Sequence, residues 1–265
     1  MVLHHDVLAD AAPGARVLVM LHGILGQGNN LRGIARAFVS TGGWTAVLMD
    51  LRAHGQSQGA PGNADTVANC ARDVEETLRS LGLEADSIVG HSYGGKVALA
   101  TNTSARHIMT LDSAPGARPD ARGSESTEEV ILMLHRLKGP WPTRDAFVDE
   151  VMAAGQPKHL AQWLAMNVER RDDGAFHSRF DMKRIDALIL DYLNVDLWSA
   201  VERKDRLTHL VVAERSRVYD HDDRVRAQTL ETTGANTTLD LLEGTHWIHV
   251  DNPNGVVDVM RRRLT

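Results

Sequence analysis

The sequence predicts an α/β fold: a mostly parallel central sheet flanked by helices, with a helical cap inserted in it. Apolar runs of strand length alternate with helical stretches up to residue 112 and again from residue 207, which is the pattern of βαβ units. Between these two regions, helical stretches follow one another without a convincing buried strand. We therefore expect a core made of residues 1–112 and 207–265, and a cap made of residues 113–206.

The elements of the core follow from apolar runs and from the residues that bound them. Asn29 or Asn30 is expected to cap the first helix, and Asp65 or Thr66 the second, which Gly82 ends. Strands are expected over residues 2–8, 16–21, 45–51, 87–89, 106–111, 207–213 and 237–242, and the last two helices over residues 223–233 and 256–264. In the cap, helical stretches are expected over residues 125–137, 144–154, 157–170 and 182–201.

Composition excludes several classes of protein. A formal net charge of −6 argues against a dedicated nucleic-acid binder. The single cysteine, Cys70, cannot form an intrachain disulfide and lies on the apolar stripe of a predicted helix, so we interpret it as a core residue. No basic-then-apolar signal segment and no run of membrane-spanning length is present, so the expected location is the cytoplasm.

One glycine-rich turn carries the strongest chemical signal. Gly90-His91-Ser92-Tyr93-Gly94 follows a predicted strand and precedes a helix-forming stretch. A Gly-x-Ser-x-Gly pattern at such a sharp turn holds the serine in a strained conformation with its hydroxyl exposed. The flanking glycines are needed because strand and helix nearly touch there. By itself the pattern also fits a turn capped by a serine, and its context supports the interpretation of Ser92 as a nucleophile.

An activated serine needs a base, an orienting acid and an oxyanion hole. Among 13 histidines, His246 is distinguished by its position between the last predicted strand and the last helix. Loops at this edge of an α/β sheet are where functional sites collect. His22 is expected to shape a turn near the site, and His54 and His91 are expected to line nearby loops without a catalytic role.

Four motifs in order resemble those of the α/β-hydrolase superfamily, and together they cover nearly the whole chain. They occupy residues 22–26, 50–57, 90–95 and 244–246. The sequence is most similar to esterases with a His-Gly-x-x-Gly loop, a Gly-His-Ser-x-Gly-Gly-Lys elbow and a Gly-x-His-Trp-x-His ending. This group includes the ABHD11-like and YbfF-like esterases.

The resemblance implies an oxyanion hole formed by the backbone N–H groups of Ile24 and Tyr93. It also implies that the side chains of Leu25 and Tyr93 wall an acyl pocket. In the cap and the loop after it, we expect further pocket walls, although Met and Trp at helical spacing more often belong to a core. These candidate substrate-binding residues are Trp163, Met166, Trp198 and Tyr219.

Two positions compete for the triad acid. Asp112 ends the strand that follows the elbow helix, whereas Asp220, Asp222 and Asp223 follow the strand over residues 207–213. The usual Gly-x-x-Asp arrangement is absent from the later position, where Ser216 stands instead. The similar esterases have an Asp at the first position and a Ser at the second. We therefore favour Asp112, with Ser216 hydrogen-bonding nearby; Asp186 in the cap is an outside candidate.

These residues predict a serine hydrolase that cleaves carboxylic esters with small to medium acyl chains through an acyl-enzyme. A thioesterase, lactonase, amidase or cofactor-free haloperoxidase on the same triad remains open, as does a non-catalytic ligand receptor. A serine nucleophile disfavours epoxide opening and halide displacement, which use an aspartate in fold relatives. We expect no metal and no cofactor, a small-molecule ester as the partner, no nucleic acid, no membrane span, and a monomer or homodimer.

Overall fold

The computed structural model describes residues 1–9, 14–59, 64–119, 125–234 and 236–264. Seven strands form one sheet and two form a small second sheet within these residues. The strands are β1 (His5–Ala9), β2 (Arg16–Leu21), β3 (Trp44–Met49), β4 (Ser87–His91), β5 (His107–Leu111), β6 (Val168–Arg170), β7 (Phe176–Ser178), β8 (Leu207–Ala213) and β9 (Thr237–Leu242).

Helices connect these strands and form most of the segment between β5 and β8. Short 3₁₀ helices cover Gly28–Leu31 and Ala165–Asn167. The α-helices are α1 (Arg32–Val39), α2 (Val67–Leu81), α3 (Tyr93–Ala100), α4 (Glu125–Leu134), α5 (Arg144–Ala153), α6 (Lys158–Leu164), α7 (Met182–Asn194), α8 (Trp198–Val201), α9 (His221–Thr232), α10 (Ile248–Asp251) and α11 (Pro253–Arg263). None of the described helices combines the length and the apolar character needed to cross a bilayer.

The large sheet has the order β1-β3-β2-β4-β5-β8-β9, and all its pairs are parallel except β1 with β3. Both faces are buried, which is why the central strands read as continuous apolar runs. In β2, Val19 and Leu21 pack into one core cluster, whereas Leu18 and Met20 pack into the cluster on the opposite face. The predicted fold class, a mostly parallel sheet flanked by helices, is confirmed.

The strand order reverses direction at β2. The chain runs from β2 to β3 on one side and then returns to β4 on the other. The loops after β2 and β4 therefore diverge from adjacent strand ends, and such a switch point forms a crevice for ligands. The first of these loops contains Ile24, and the second contains Ser92.

Most element predictions agree with the structure, and the exceptions have local causes. Helix α2 is capped by Thr66, whose hydroxyl accepts from Asn69 N at 3.1 Å, and it ends at Gly82 with φ +65°. Helix α1, by contrast, starts at Arg32 rather than after Asn29 or Asn30, because a 3₁₀ turn occupies the intervening residues. The first strand likewise begins at His5, later than expected.

The helix expected over residues 157–170 was wrong in its second half. Helix α6 ends at Leu164, and β6 follows and pairs with β7 in an antiparallel hairpin. The turn between them contains Gly174 with φ +80°, and Arg171 N donates to Ala175 O at 2.9 Å. An Asp-Gly pair flanked by alternating residues is a hairpin signal that the helical interpretation overlooked.

Lys96 joins the elbow helix α3 to the segment between β5 and β8. Its buried ammonium donates to three carbonyl oxygens, those of Gly116, Tyr192 and Val195, at 2.8, 2.7 and 2.9 Å. Charge-assisted hydrogen bonds to several partners offset the cost of burying the charge. The lysine thus fixes the end of α7 relative to the sheet.

Replacement of Gly94 by alanine is expected to lower the free energy of unfolding by at least about 2 kcal/mol, because the added methyl overpacks against backbone. A Cβ there would lie 2.5 Å from the carbonyl oxygens of Leu21 and His22. Gly82→Ala is the matched control: its φ of +65° is unfavourable for alanine, but no atom lies within 4 Å of the new Cβ. Its expected cost is about 1 kcal/mol. Urea unfolding of both variants measures the difference, and equal losses would contradict the steric argument.

Candidate active site

Ser92 occupies the turn between β4 and α3 in a strained backbone conformation, with φ 51° and ψ −117°. Its N–H donates to Leu111 O at 3.0 Å, and its carbonyl accepts from Gly95 N at 2.9 Å. A Cβ on Gly90 would lie 2.1 Å from Gly94 O, so the glycines are required by space. Such a conformation costs about 1–3 kcal/mol and persists only where the surroundings fix it.

Three side chains distant in sequence form a continuous hydrogen-bonded chain. Ser92 Oγ lies 3.0 Å from His246 Nε2, and His246 Nδ1 lies 2.7 Å from Asp112 Oδ2. Since a carboxylate only accepts hydrogen bonds, Nδ1 carries the proton and Nε2 presents its lone pair to the serine hydroxyl. An imidazole oriented in this way can accept the serine proton.

Asp112 is fully buried, and both of its carboxylate oxygens are engaged. Oδ2 faces His246, and Oδ1 accepts from Ala213 N at 3.0 Å. Its backbone has φ +47°, and its N–H donates to Val211 O at 2.7 Å. The end of β8 therefore holds this carboxylate in place against the imidazole.

The later acidic cluster lies elsewhere. Asp220 caps α9, where its Oδ1 accepts from Asp223 N at 2.8 Å, and its Oδ2 pairs with Arg118 at 3.2 Å. Asp223 Oδ1 accepts from Trp198 Nε1 at 3.3 Å, and burial raises the pKa of Asp223. Asp222 is exposed in the first turn of α9. The structure thus places Asp112, rather than this cluster, against the histidine, and its role as catalytic acid stays a prediction.

Two further residues named from the sequence are not in contact with the triad. Ser216 Oγ accepts from Val218 N at 3.2 Å, a hydrogen bond within its own loop rather than beside Asp112. Asp186 is exposed on α7, in the segment between β5 and β8, and its Oδ1 lies 3.0 Å from His135 Nε2.

One expected oxyanion donor directly follows Ser92, and the other lies in the loop after β2. Tyr93 is the first residue of α3, so its N–H is one of those that have no partner within the helix. Ile24 lies in a turn in which Gly26 N donates to Gly23 O at 3.0 Å. A Cβ on Gly23 would lie 3.3 Å from Ser92 Cβ, which shows how closely this turn approaches the serine. The oxyanion role itself remains a prediction.

A cleft of about 340 Å³ opens onto Ser92 and His246. Trp163 and Trp247 meet edge to face on its wall, with ring centroids 5.1 Å apart. Of the wall residues, Ile24, Leu25 and Trp163 are candidates from the sequence, whereas Trp247 is not, although it adjoins His246 within the same motif. The lining residues are Gly23, Ile24, Leu25, His91, Ser92, Thr127, Val130, Leu160, Trp163, His246 and Trp247.

The side chains of Tyr93 and Met166 do not line this cleft, contrary to expectation. Tyr93 points into the core, where its hydroxyl lies 3.4 Å from the sulfur of Cys70. Only its backbone faces the elbow turn. The sulfur of Met166 accepts a long contact of 3.7 Å from Asn30 Nδ2.

Trp198 and Tyr219 are also absent from the cleft wall. Trp198 is buried beneath Arg226, whose guanidinium lies 4.7 Å from the ring centroid, and its indole N–H donates to Asp223. The buried hydroxyl of Tyr219 donates to Ser113 O at 2.9 Å. Both are core residues, the common outcome for large side chains in an apolar pattern.

Buried histidines surround the triad. Burial lowers the pKa of His22 to about 4, that of His54 to about 3 and that of His249 to about 4. Burial and the neighbouring His249 and His246 lower the pKa of His91 as well. These rings are therefore neutral near pH 7. His91 Nε2–H donates to His246 O at 2.8 Å, a contact that links the elbow to the histidine loop.

No group of three His, Cys, Asp or Glu side chains suited to a metal ion occurs in the part of the chain that the structure describes.

Comparison with known proteins identifies the relatives of this chain. It matches the model of the alpha/beta hydrolase family over residues 18–259. The sn-1-specific diacylglycerol lipase ABHD11 of Xenopus tropicalis is 28% identical over 199 residues, which cover 72% of this chain and 61% of that protein. The ABHD11 of Danio rerio is 24% identical over 257 residues, which cover 95% of this chain and 78% of that protein.

A solved structure described as a marine microorganism esterase superimposes with a TM-score of 0.83. It is 22% identical, and 98% of each chain is covered. At this identity the likeness demonstrates a shared fold. The match to the Xenopus tropicalis lipase spans less than two thirds of that protein's length.

Asp112→Asn is expected to lower kcat for ester hydrolysis by about 10³–10⁴-fold while the protein stays folded, because an amide favours the wrong histidine tautomer. Asp223→Asn is the matched control, since it removes a buried carboxylate that does not contact His246. Hydrolysis of a p-nitrophenyl ester and circular dichroism measure activity and folding. A large loss in Asp223→Asn with none in Asp112→Asn would assign the acid to the later cluster.

Acid is expected to destabilise the fold between about pH 6.5 and pH 4. The folded-state pKa values of His22, His54 and His249 are about 4, 3 and 4, whereas an unfolded histidine titrates near 6.5. In this window the unfolded chain binds more protons, so the free energy of unfolding falls as the pH falls. Urea unfolding at about pH 7, 6 and 5 measures this. A constant free energy across the series would contradict the neutral, buried state of these rings.

Proposed function

Since the chain belongs to the α/β-hydrolase family, we propose that it is a serine hydrolase that cleaves carboxylic esters through an acyl-enzyme. The observation that carries this proposal is the chain from Ser92 Oγ through His246 to Asp112, at 3.0 and 2.7 Å, beside an apolar cleft. A serine hydroxyl within hydrogen-bond reach of an imidazole that a carboxylate orients is the arrangement that nucleophilic acyl transfer requires.

In the acylation step, Ser92 Oγ attacks the ester carbonyl carbon and His246 Nε2 takes the hydroxyl proton. The imidazolium that forms is stabilised by the Asp112 carboxylate, which accepts from His246 Nδ1 and from Ala213 N. The tetrahedral oxyanion is bound by the N–H groups of Ile24 and Tyr93. Loss of one such donor typically costs about 3–4 kcal/mol of transition-state stabilisation.

The leaving alcohol takes the proton from His246 as the carbon–oxygen bond breaks. Water then attacks the acyl-enzyme, and the same imidazole accepts a proton from the water. When the second tetrahedral intermediate collapses, the carboxylic acid leaves and the proton returns to Ser92 Oγ. All atoms and protons are supplied by the ester, the water and these side chains.

The cleft supports a substrate with an apolar acyl group of small to medium size. Most of its lining side chains are apolar, and the space between them, part of which is open to solvent, is about 340 Å³. Three of the apolar residues in its wall are Val130, Leu160 and Trp163. These residues come from the segment between β5 and β8, so we propose that residues 113–206 act as the cap over the site.

The names of relatives agree with an esterase or lipase activity. The curated relatives in Xenopus tropicalis and Danio rerio are lipases that act on diacylglycerol. A monoacyl or diacyl glycerol ester is therefore one substrate class to test beside simple esters. Thioester and lactone substrates test the other chemistries available to the same triad.

Ser92→Ala is expected to abolish hydrolysis of p-nitrophenyl acetate and butyrate, because the variant has no oxygen nucleophile. Labelling of residue 92 by a fluorophosphonate probe should be lost with it. Ser80→Ala is the control, since this hydroxyl lies on α2 and donates to Thr77 O away from the cleft. The absorbance of released p-nitrophenol measures hydrolysis, and mass spectrometry of the labelled peptide measures the modification of residue 92.

Three outcomes would change the proposal. Binding of esters without turnover in the wild-type protein would indicate a ligand receptor. Turnover that survives in Ser92→Ala would remove the serine from the mechanism. Faster reaction with thioesters or lactones than with matched oxygen esters, measured as kcat/KM, would reassign the substrate class but keep the triad.

A further inference from the structure

The turn beside the nucleophile contains an unfavourable residue. Gly26 N donates to Gly23 O at 3.0 Å, which closes a four-residue turn, and Leu25 in its third position has φ +63°. A turn with positive φ at this position normally uses glycine there. A leucine in the left-handed region costs about 1–2 kcal/mol. Something outside the turn must therefore hold Leu25 in this conformation.

Two side chains from different parts of the molecule hold the backbone of Leu25. Its N–H donates to His54 Nε2 at 3.0 Å, and its carbonyl oxygen accepts from Asn167 Nδ2 at 3.1 Å. The N–H belongs to the peptide shared with Ile24, and the carbonyl to the peptide shared with Gly26. Because peptide groups are planar, fixing these two planes fixes both backbone dihedral angles of Leu25.

His54 is suited to accept this hydrogen bond. Its Nδ1–H donates to Arg52 O at 2.8 Å, so the lone pair resides on Nε2. The ring is fully buried, and burial lowers its pKa to about 3, which keeps it neutral. Arg52 is in turn fixed by two hydrogen bonds to Asp73, at 2.7 and 2.8 Å. These contacts fix the position of His54 Nε2, the atom that accepts from Leu25 N.

Two other contacts join the same two loops. The N–H of Leu51 donates to His22 Nε2 at 2.9 Å, and Gly28 N donates to Asp50 Oδ1 at 2.8 Å. These contacts set where the loop over residues 50–57 lies, but neither touches Leu25. The hydrogen bond to His54 holds the N–H of Leu25, and the hydrogen bond from Asn167 holds its carbonyl oxygen.

We propose that His54 is a positioning residue for the oxyanion hole: it holds the Ile24–Leu25 peptide so that the Ile24 N–H faces the reacting oxygen, and Asn167 of the cap completes the clamp. This inference rests on the proposed function. If Leu25 relaxed to negative φ, the peptide that it shares with Ile24 would have to rotate, and Ile24 would move with it. A donor must lie about 2.7–3.1 Å from the oxyanion, so a small displacement is costly.

If these two hydrogen bonds position the oxyanion hole, removing one should weaken binding of the transition state and leave substrate binding nearly unchanged. His54→Phe keeps a buried ring but removes the acceptor, and we expect kcat to fall at least about tenfold with KM changed by less than about twofold. The affinity for a trifluoromethyl ketone, whose serine adduct carries an oxyanion, should fall in proportion. His54→Gln retains an acceptor oxygen and should recover part of kcat.

Leu25→Gly provides the partner for a double-mutant cycle. Glycine adopts positive φ without strain, so the turn needs the clamp less. We expect His54→Phe to cost several-fold less in kcat on the Leu25→Gly background than on the wild-type background. Any change in cleft shape caused by loss of the leucine side chain cancels in the cycle.

Equal losses on the two backgrounds, an effect confined to KM, or a wild-type kcat in His54→Phe would overturn the inference. If His54→Phe does not fold, Asn167→Leu replaces it in the double-mutant cycle. A smaller loss of kcat from Asn167→Leu on the Leu25→Gly background than on the wild-type background would then support the inference. Serine-dependent turnover without this coupling would leave the proposed function intact and remove only the role of His54. A wild-type protein without turnover that depends on Ser92 would overturn both.

Discussion

The close approach of main chain to main chain at the elbow is the constraint on which the rest of the site depends. A methyl group on Gly90 or Gly94 would lie 2.1 or 2.5 Å from backbone oxygens, so α3 can reach the ends of β2 and β4 only with glycine there. This contact forces Ser92 to φ 51° and aims the start of α3 at the crevice between the two strands. The strain is retained because the surrounding sheet is buried on both faces and cannot relax.

Buried imidazoles that stay neutral near pH 7 join several of the loops around the site. His22 and His54 use one ring nitrogen as a donor and the other as an acceptor, and so join the loops after β2 and β3 without burying a charge. His91 joins the elbow to the loop that carries His246. A neutral ring satisfies two backbone groups at fixed spacing, whereas an imidazolium could satisfy no donor. The geometry of the site therefore depends on protonation states that burial maintains.

The segment between β5 and β8 contributes to the site in two ways. It supplies apolar walls, and it also contacts the core at points that matter for geometry: Asn167 reaches the turn at Leu25, and the carbonyls of Tyr192 and Val195 accept from Lys96 on the elbow helix. Leu25 is adjacent to Ile24, one predicted oxyanion donor. Lys96 lies on α3, whose first residue, Tyr93, is the other. The same segment thus both lines the cleft and contacts the two elements that carry the predicted oxyanion donors.

The sequence by itself determined the sheet, its parallel pattern and the position of the elbow, because apolar runs, glycine spacing and capping residues report local conformation directly. It also singled out Ser92 and His246, and it favoured Asp112 through resemblance rather than through local chemistry. Only the tertiary structure decided which carboxylate faces the imidazole, that Trp198 and Tyr219 are core residues, and that the ring of His54 supports the turn at Leu25. Those outcomes depend on contacts between residues far apart in the chain, and no local pattern encodes the direction in which a side chain meets a distant partner.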